Sequence, residues 1–229
     1  MHVLGIDTSR TITSVVVARR AEILACLAQD KGVSSSVAVL ALIDDALSRC
    51  ALTIDKIGFI AIAVGPGSFT GLRVGFGTAL GLAHARGLGV MGIGSLDAMA
   101  RSQAGWDGGY IVPVESSRKG EIYTALYTME KNVVKKLTDE MALAPEELAA
   151  MIDGPARFVG NALAPYEDMF RGEIKNEIEF VNAPVESFAR GLARIALERF
   201  EVEGVADGVI SPRYIRRSQA EINWEKRNN

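Results

Sequence analysis

Histidine and cysteine are nearly absent, at two of each among 229 residues. His2 and His84 stand apart, with no HExxH or HxxxH and no neighbouring cysteine. The sequence therefore offers no zinc-binding spacing and no histidine placed to activate a serine. Cys26 and Cys50 lie in apolar periodic segments and form no CxxC, which fits buried thiols in a reducing compartment. No apolar run approaches the roughly 20 residues of a membrane span. The first residues enter a β-rich run with no basic n-region and apolar h-region, so no secretory leader is expected and the expected location is cytoplasmic. Positive charge is not in excess either. Lys and Arg number 25 against 28 Asp and Glu, a net charge of −3, so any contact with nucleic acid needs a local basic patch or a partner.

What is present is apolar and strongly periodic. Hydrophobic residues make up 48% of the chain, enough for one large or two small domains. Val3–Ile6, Ser14–Ala18 and Glu22–Leu27 read as a meander of antiparallel strands. Ser34–Ser36 can cap a helix running to about Cys50, with Leu40, Ile43 and Leu47 among its apolar positions. Lys56–Val64 is a continuous apolar strand of the kind found in the middle of a covered sheet. A helix to about Arg86, a strand at Val90–Ile93 and a helix opening at Ser95 follow. A second meander then begins, with strands at Tyr110–Val114, Glu121–Met129 and Asn132–Leu137. It is succeeded by a helix at Pro145, strands at Arg157–Val159 and Ile178–Val181, and a long amphipathic helix from Pro184 through Phe200. The same order occurs twice. The expected fold is thus α/β with two lobes of duplicated architecture, residues 1–104 and 105–210, meeting near the glycine-rich QAGWDGG at 103–109. The remaining tail, 211–229, carries five basic against two acidic side chains.

Residues 65–81, GPGSFTGLRVGFGTALG, invite a phosphate-loop reading. A P-loop needs a lysine to meet the phosphates, and none occurs from Gly65 to Gly89. A Rossmann loop needs an acidic residue at the end of the next strand, which VMGIG lacks. Close packing explains the glycines better. Gly71, Gly75, Ala79 and Ala83 recur every four residues, and Gly77, Gly81 and Ala85 form a second row, with Leu72, Phe76 and Leu80 beside them. Each helical glycine costs about 1 kcal/mol against alanine, so a close approach should offset it. Its own sheet and another subunit are equally good partners on this pattern, and a charged side chain at Gly75 should abolish partner binding only in the second case. Gly65-Pro66-Gly67 would set the start of the helix, with Ser68 or Thr70 as its cap.

The first hairpin, GIDTSRTIT, places Asp7, Thr8 and Ser9 where actin-like ATPases and sugar kinases wrap nucleotide phosphates and orient magnesium. Those turns usually carry glycine where this chain has Ser9 or Arg10. The matching second hairpin, PVESSRKGEIY, supplies Glu115 and Gly120 with Ser116 and Ser117 between them, half of the expected clamp. Asp7 could equally be a turn residue bonding its own backbone.

GIDTS, VGPGSFTGLRVGFGTALGLA, SRKGEIYTALY and SPRYIRR, in this order and over nearly the whole chain, resemble the bacterial TsaB (YeaZ) family. The resemblance implies a degenerate two-lobed actin-like (ASKHA, ribonuclease H-like) fold. It also implies a non-catalytic subunit required for threonylcarbamoyladenosine modification of adenosine 37 in ANN-decoding tRNAs. Such a chain would partner a TsaD-type catalytic subunit and a TsaE-type ATPase, form a homodimer when alone, and meet tRNA indirectly or through its basic tail. The family's two N-lobe helices form the dimerisation surface, which carries over to Leu40, Ile43, Leu47, Gly71, Leu72, Gly75, Phe76, Ala79 and Leu80. Arg118 and Glu121 match the family and are candidates for a functional cleft. No cofactor is certain; the resemblance leaves room for ATP or ADP with magnesium at a subunit boundary. The alternative is a stand-alone ATPase or kinase of the actin-like superfamily. The chain departs from the family where it has Ser34–Ser36 in place of a frequent histidine, and Ser116-Ser117 in place of Asp-Ala before the arginine.

Overall fold

A computed structural model describes residues 1–20, 22–30, 35–131, 133–205 and 210–216. The first sheet is built from β1 (His2–Asp7), β2 (Ile12–Arg19), β3 (Glu22–Asp30), β4 (Ile57–Ala63) and β5 (Gly89–Ile93), in the order β3-β2-β1-β4-β5. The first three pair antiparallel, while β4 and β5 join in parallel. A parallel central strand must be covered on both faces, which is why β4 reads IGFIAIA without alternation. One face is covered by α1 (Ser35–Arg49) and α2 (Phe69–Arg86), which bury Ile43, Leu47, Phe76 and Ala79 against Ile6 and Ile62.

The other face of that sheet is covered by α3 (Ser95–Arg101) and, from far along the chain, by α6 (Val185–Glu203). Chain order assigns α6 to the second lobe, but its packing assigns Leu192, Ala193 and Ala196 to the first sheet, against Val16, Phe59 and Ala61. The closest approach is made at Gly191, where an added Cβ would overlap the Ala98 carbonyl oxygen of α3.

The second sheet contains β6 (Tyr110–Arg118), β7 (Glu121–Thr124), β8 (Tyr127–Glu130), β9 (Val133–Lys136), β10 (Met141–Leu143), β11 (Ala156–Val159) and β12 (Ile178–Val181). Its path β10-β7-β6-β11-β12 repeats the first sheet's order, with antiparallel pairs on one side and parallel pairs on the other. The expected duplication is therefore present in topology. Two details differ from the sequence reading. The segment Glu121–Met129 breaks at Ala125–Leu126, because β7 pairs with β10 while β8 pairs with β9. The third strand of the second meander is accordingly β10, not the run at 132–137. Helices α4 (Pro145–Ala150) and α5 (Glu167–Glu173) lie over this sheet, enclosing Phe158, Phe170 and Leu148.

In α2 the inner row is Gly71, Gly75, Ala79 and Ala83, all buried. The Thr8 hydroxyl donates to the Gly71 carbonyl at 2.7 Å, and a Cβ on Gly75 would overlap the same hydroxyl oxygen. The close approach is thus to the chain's own first hairpin. Gly75→Ala should lower monomer stability by about 1–2 kcal/mol, read as a fall in the urea midpoint, because the Thr8 hydroxyl must turn away and lose its acceptor. Loss of partner binding in a Gly75 variant would consequently report on folding.

Candidate functional site

Two hairpins, β1–β2 from one lobe and β6–β7 from the other, face each other across a cleft of about 430 Å³. Ser9, Arg10, Gly67, Ser68, Glu115, Ser116, Ser117 and Arg118 line it. The chain end returns here. Arg213 N–H donates to the Val64 carbonyl at 2.7 Å, Tyr214 lies 4.7 Å from the Phe69 ring, and Arg216 pairs with Glu121 at 3.0 Å. So the first part of the basic tail forms one wall of the cleft. Arg217, Lys226 and Arg227 lie outside the described residues.

Asp7, at the end of β1, makes an Asx turn: its Oδ1 accepts from the Ser9 N–H at 2.9 Å and from the Ser9 hydroxyl at 2.6 Å. Ser68 caps α2 by accepting from Gly71 N–H at 3.2 Å, and its own N–H donates to the Ser9 carbonyl at 2.7 Å. The hydroxyls of Thr8 and Ser9 are therefore spent inside the loop. The glycine stretch closes onto the first hairpin, and Thr8 seals that contact.

Sequence reasoning passed over the residue at the centre. Arg10, 3% exposed, reaches between the lobes. Its Nη1 donates to Asp7 Oδ2, its Nε donates to Glu115 Oε2 at 2.7 Å, and its Nη2 reaches the Ser95 carbonyl at 3.3 Å. The guanidinium lies over the Phe188 ring, 4.8 Å from its centroid. Burial pushes the Glu115 carboxyl above its ordinary value, opposed chiefly by the charge of Arg10. Two acidic side chains thus share one buried cation. The available signal was Asp7 three residues before Arg10 in a turn, with one unassigned acid in the matching hairpin; nothing local links Arg10 to a residue 105 positions away.

Arg118 lines the cleft, and Glu121 stands behind it, bonded to Arg118 at 3.2 Å, Arg216 at 3.0 Å and the Ser117 hydroxyl at 2.8 Å. Of the expected interface residues, Ile43, Leu47, Gly71, Leu72, Gly75, Phe76 and Ala79 are buried inside the monomer. Only Leu40 and Leu80 are exposed, at 53% and 45%. The second small-residue row lies, like Leu80, on the exposed side of α2, and among the described residues nothing comes within 4 Å of a Cβ built on Gly77 or Gly81. Among the described residues no group of three His, Cys, Asp or Glu side chains could hold a metal ion. No described helix is long and apolar enough to cross a membrane.

Over residues 32–224 the chain matches the sequence model of the family described as TsaD: tRNA N6-adenosine threonylcarbamoyltransferase. It is similar to the tRNA threonylcarbamoyladenosine biosynthesis protein TsaB of Bacillus subtilis (strain 168), at 25% identity with 98% of each chain covered. The TsaB protein of Haemophilus influenzae is 28% identical, with 99% of this chain and 97% of that one covered. YeaZ from Pseudomonas aeruginosa superposes with a TM-score of 0.75 at 22% identity, over 93% of this chain and 99% of that one. A Clostridium difficile activator of 2-hydroxyisocaproyl-CoA dehydratase, described with bound ADPNP, gives a TM-score of 0.56 at 12% identity, over 92% and 100% of the two chains. The likeness to that activator is one of fold, and with the duplicated sheets it places the architecture in the actin-like ATPase class.

That class implies a magnesium nucleotide between the two hairpins, and the donor set does not fit one. Both oxygens of Asp7 already accept, from Ser9 and Arg10. Glu115 Oε2 accepts from Arg10, and Oε1 accepts from the Ser116 N–H at 3.2 Å. Magnesium demands oxygens at about 2.0–2.1 Å in an octahedron, and a fixed guanidinium stands between the two facing carboxylates of these hairpins, Asp7 and Glu115.

Proposed function

This chain belongs to the TsaD family of tRNA N6-adenosine threonylcarbamoyltransferases, on its TsaB (YeaZ) side, and we propose that it serves there as a non-catalytic subunit that holds and activates a TsaD-type catalytic partner. Its role lies in threonylcarbamoyladenosine biosynthesis. The observation that carries the finer reading is the outer face of α2. Gly77 and Gly81 lie inside an 18-residue helix and cost it about 1 kcal/mol each against alanine. None of the described residues uses the space they leave. Exposed Leu80 beside them and Leu40 on α1 supply apolar contact, so a helix from another chain could approach this face closely and bury both leucines. Two copies would use the same face in the absence of the partner. TsaE and tRNA would join that assembly in the cytoplasm. A nucleotide at a subunit boundary would need ligands other than Asp7 and Glu115.

The test is size-exclusion chromatography with light scattering, on this chain alone and mixed with the TsaD-type protein of the same source. A heterodimer peak is expected. Gly77→Arg and Leu80→Glu should each abolish it without lowering the thermal midpoint of the chain, because both positions face away from the core, and Gly77→Arg should raise that midpoint by removing a helical glycine. Variants that still co-elute would move the contact to another face. Separate wild-type peaks, even with the TsaE-type ATPase and ATP present, would overturn the reading.

A further inference from the structure

We infer that Arg10 is a built-in cation that stands where a divalent metal would stand between Asp7 and Glu115, joining the two lobes permanently and making the interlobe cleft independent of metal. The geometry has three parts. First, the two acids come from equivalent hairpins of the two lobes, β1–β2 and β6–β7, so they form the one pair of carboxylates that the duplicated fold brings face to face here. Second, the guanidinium is held on every edge. It bonds Asp7 at Nη1, Glu115 at Nε and the Ser95 carbonyl at Nη2, and its face lies on Phe188 of α6. Four elements of the chain converge on this one side chain. Third, the charge fits a substitute for a metal. Arginine is protonated at any relevant pH, and its flat fork bonds two carboxylates at once, which a lysine ammonium on a flexible stem matches poorly.

A divalent ion bound by two carboxylates can be removed, and it can leave with a nucleotide. A guanidinium on a side chain, covalently tied to the backbone, cannot leave. The lobes are therefore tied whether or not a ligand is present, and closure about a metal is not available to this chain as a switch. α6, which crosses back from the second lobe, takes part in the bridge. Its Phe188 forms the floor beneath the cation, and Gly191 three residues later lets the helix sit against α3, the helix whose first residue, Ser95, gives its carbonyl to the guanidinium.

The inference is tested by asking whether a metal can replace the side chain. Full-length wild type, Arg10→Gly and the double variant Arg10→Gly/Asp7→Asn are titrated with Mn²⁺ by electron paramagnetic resonance, and thermal midpoints are recorded with and without the ion. Wild type should retain no Mn²⁺ at this site and show no shift. Arg10→Gly should melt lower, bind about one Mn²⁺ per chain, and recover part of its midpoint on adding Mn²⁺ or free guanidinium. The double variant should lose both responses. Wild type that binds Mn²⁺ in an Asp7-dependent way would overturn the inference, and so would a folded Arg10→Gly that binds none. If Arg10→Gly does not fold, Arg10→Ser is read in the same way. Failure of both to fold, with Mn²⁺ or guanidinium present, would also overturn it, because a free cation could then not take the place of the side chain.

Discussion

Arg10→Leu should lower the unfolding free energy by about 3–5 kcal/mol, the loss typical when one partner of a buried ion pair is removed. Leucine can fill space above Phe188, but it leaves Asp7 and Glu115 buried against each other with no cation between them. Glu115→Gln should cost far less, about 1 kcal/mol, because Asp7 and Arg10 remain a neutral pair and the amide oxygen can still accept from Nε. The two variants also differ in pH dependence. Burial holds the Glu115 carboxyl above its ordinary value of 4.5, so the folded chain binds that proton more tightly than the unfolded chain does. The stability tied to this group is therefore fullest below the ordinary value and declines as pH rises through the raised one. Urea midpoints followed upward from the ordinary value should fall for wild type and lose that step in Glu115→Gln. A wild-type midpoint that climbs through the same window would mean that Arg10 outweighs burial, and that Glu115 is held below its ordinary value.

The contrast between Arg10 and the strands around it shows what a sequence makes legible. β1, β2 and β4 bury several apolar side chains each and announce themselves by composition, and the repeated order of elements announces the duplicated lobes. α5 escaped because EDMFRGE carries a glycine and only two adjacent apolar residues, Met169 and Phe170, of which only Phe170 is fully buried, so it shows no helical period. The break between β7 and β8 escaped because apolar residues continue across it while their pairing partners change. In α2 the spacing of the small residues was legible, but which row faced inward was not. Both rows are glycine and alanine, and the choice is made by Thr8, more than sixty residues away. The site depends most on such distant contacts. Asp7 could be read as a turn residue or as a metal ligand, and only the side chains that Arg10 and Glu115 bring across the cleft decide between the two.

Glycines of α2 and α6 yield the last expectation, in which one kind of substitution changes stability in opposite directions. Gly81→Ala should stabilise the monomer by about 0.5–1 kcal/mol, since it lies inside a helix and its new methyl meets nothing within 4 Å. Gly191→Ala gains the same helical preference, yet its methyl would overlap the Ala98 carbonyl oxygen and sit 3.3 Å from the Ser102 nitrogen. Main-chain atoms of α3 cannot turn aside as the Thr8 hydroxyl can. α6 must therefore lift from α3, loosening Leu192 and Ala193 from the first sheet, and a net loss of about 2–3 kcal/mol is expected. Urea unfolding of the two variants beside wild type decides the matter, and a neutral Gly191→Ala would mean that the helices can separate at no cost. The sign at Gly81 also bears on why it is glycine. Under the proposed function, a glycine that weakens its own helix at this exposed position serves a contact outside the monomer. Gly81→Ala should accordingly raise the midpoint of the isolated chain while reducing the fraction that co-elutes with the TsaD-type protein. Gain of stability with undiminished co-elution would leave that glycine without a purpose at the proposed interface.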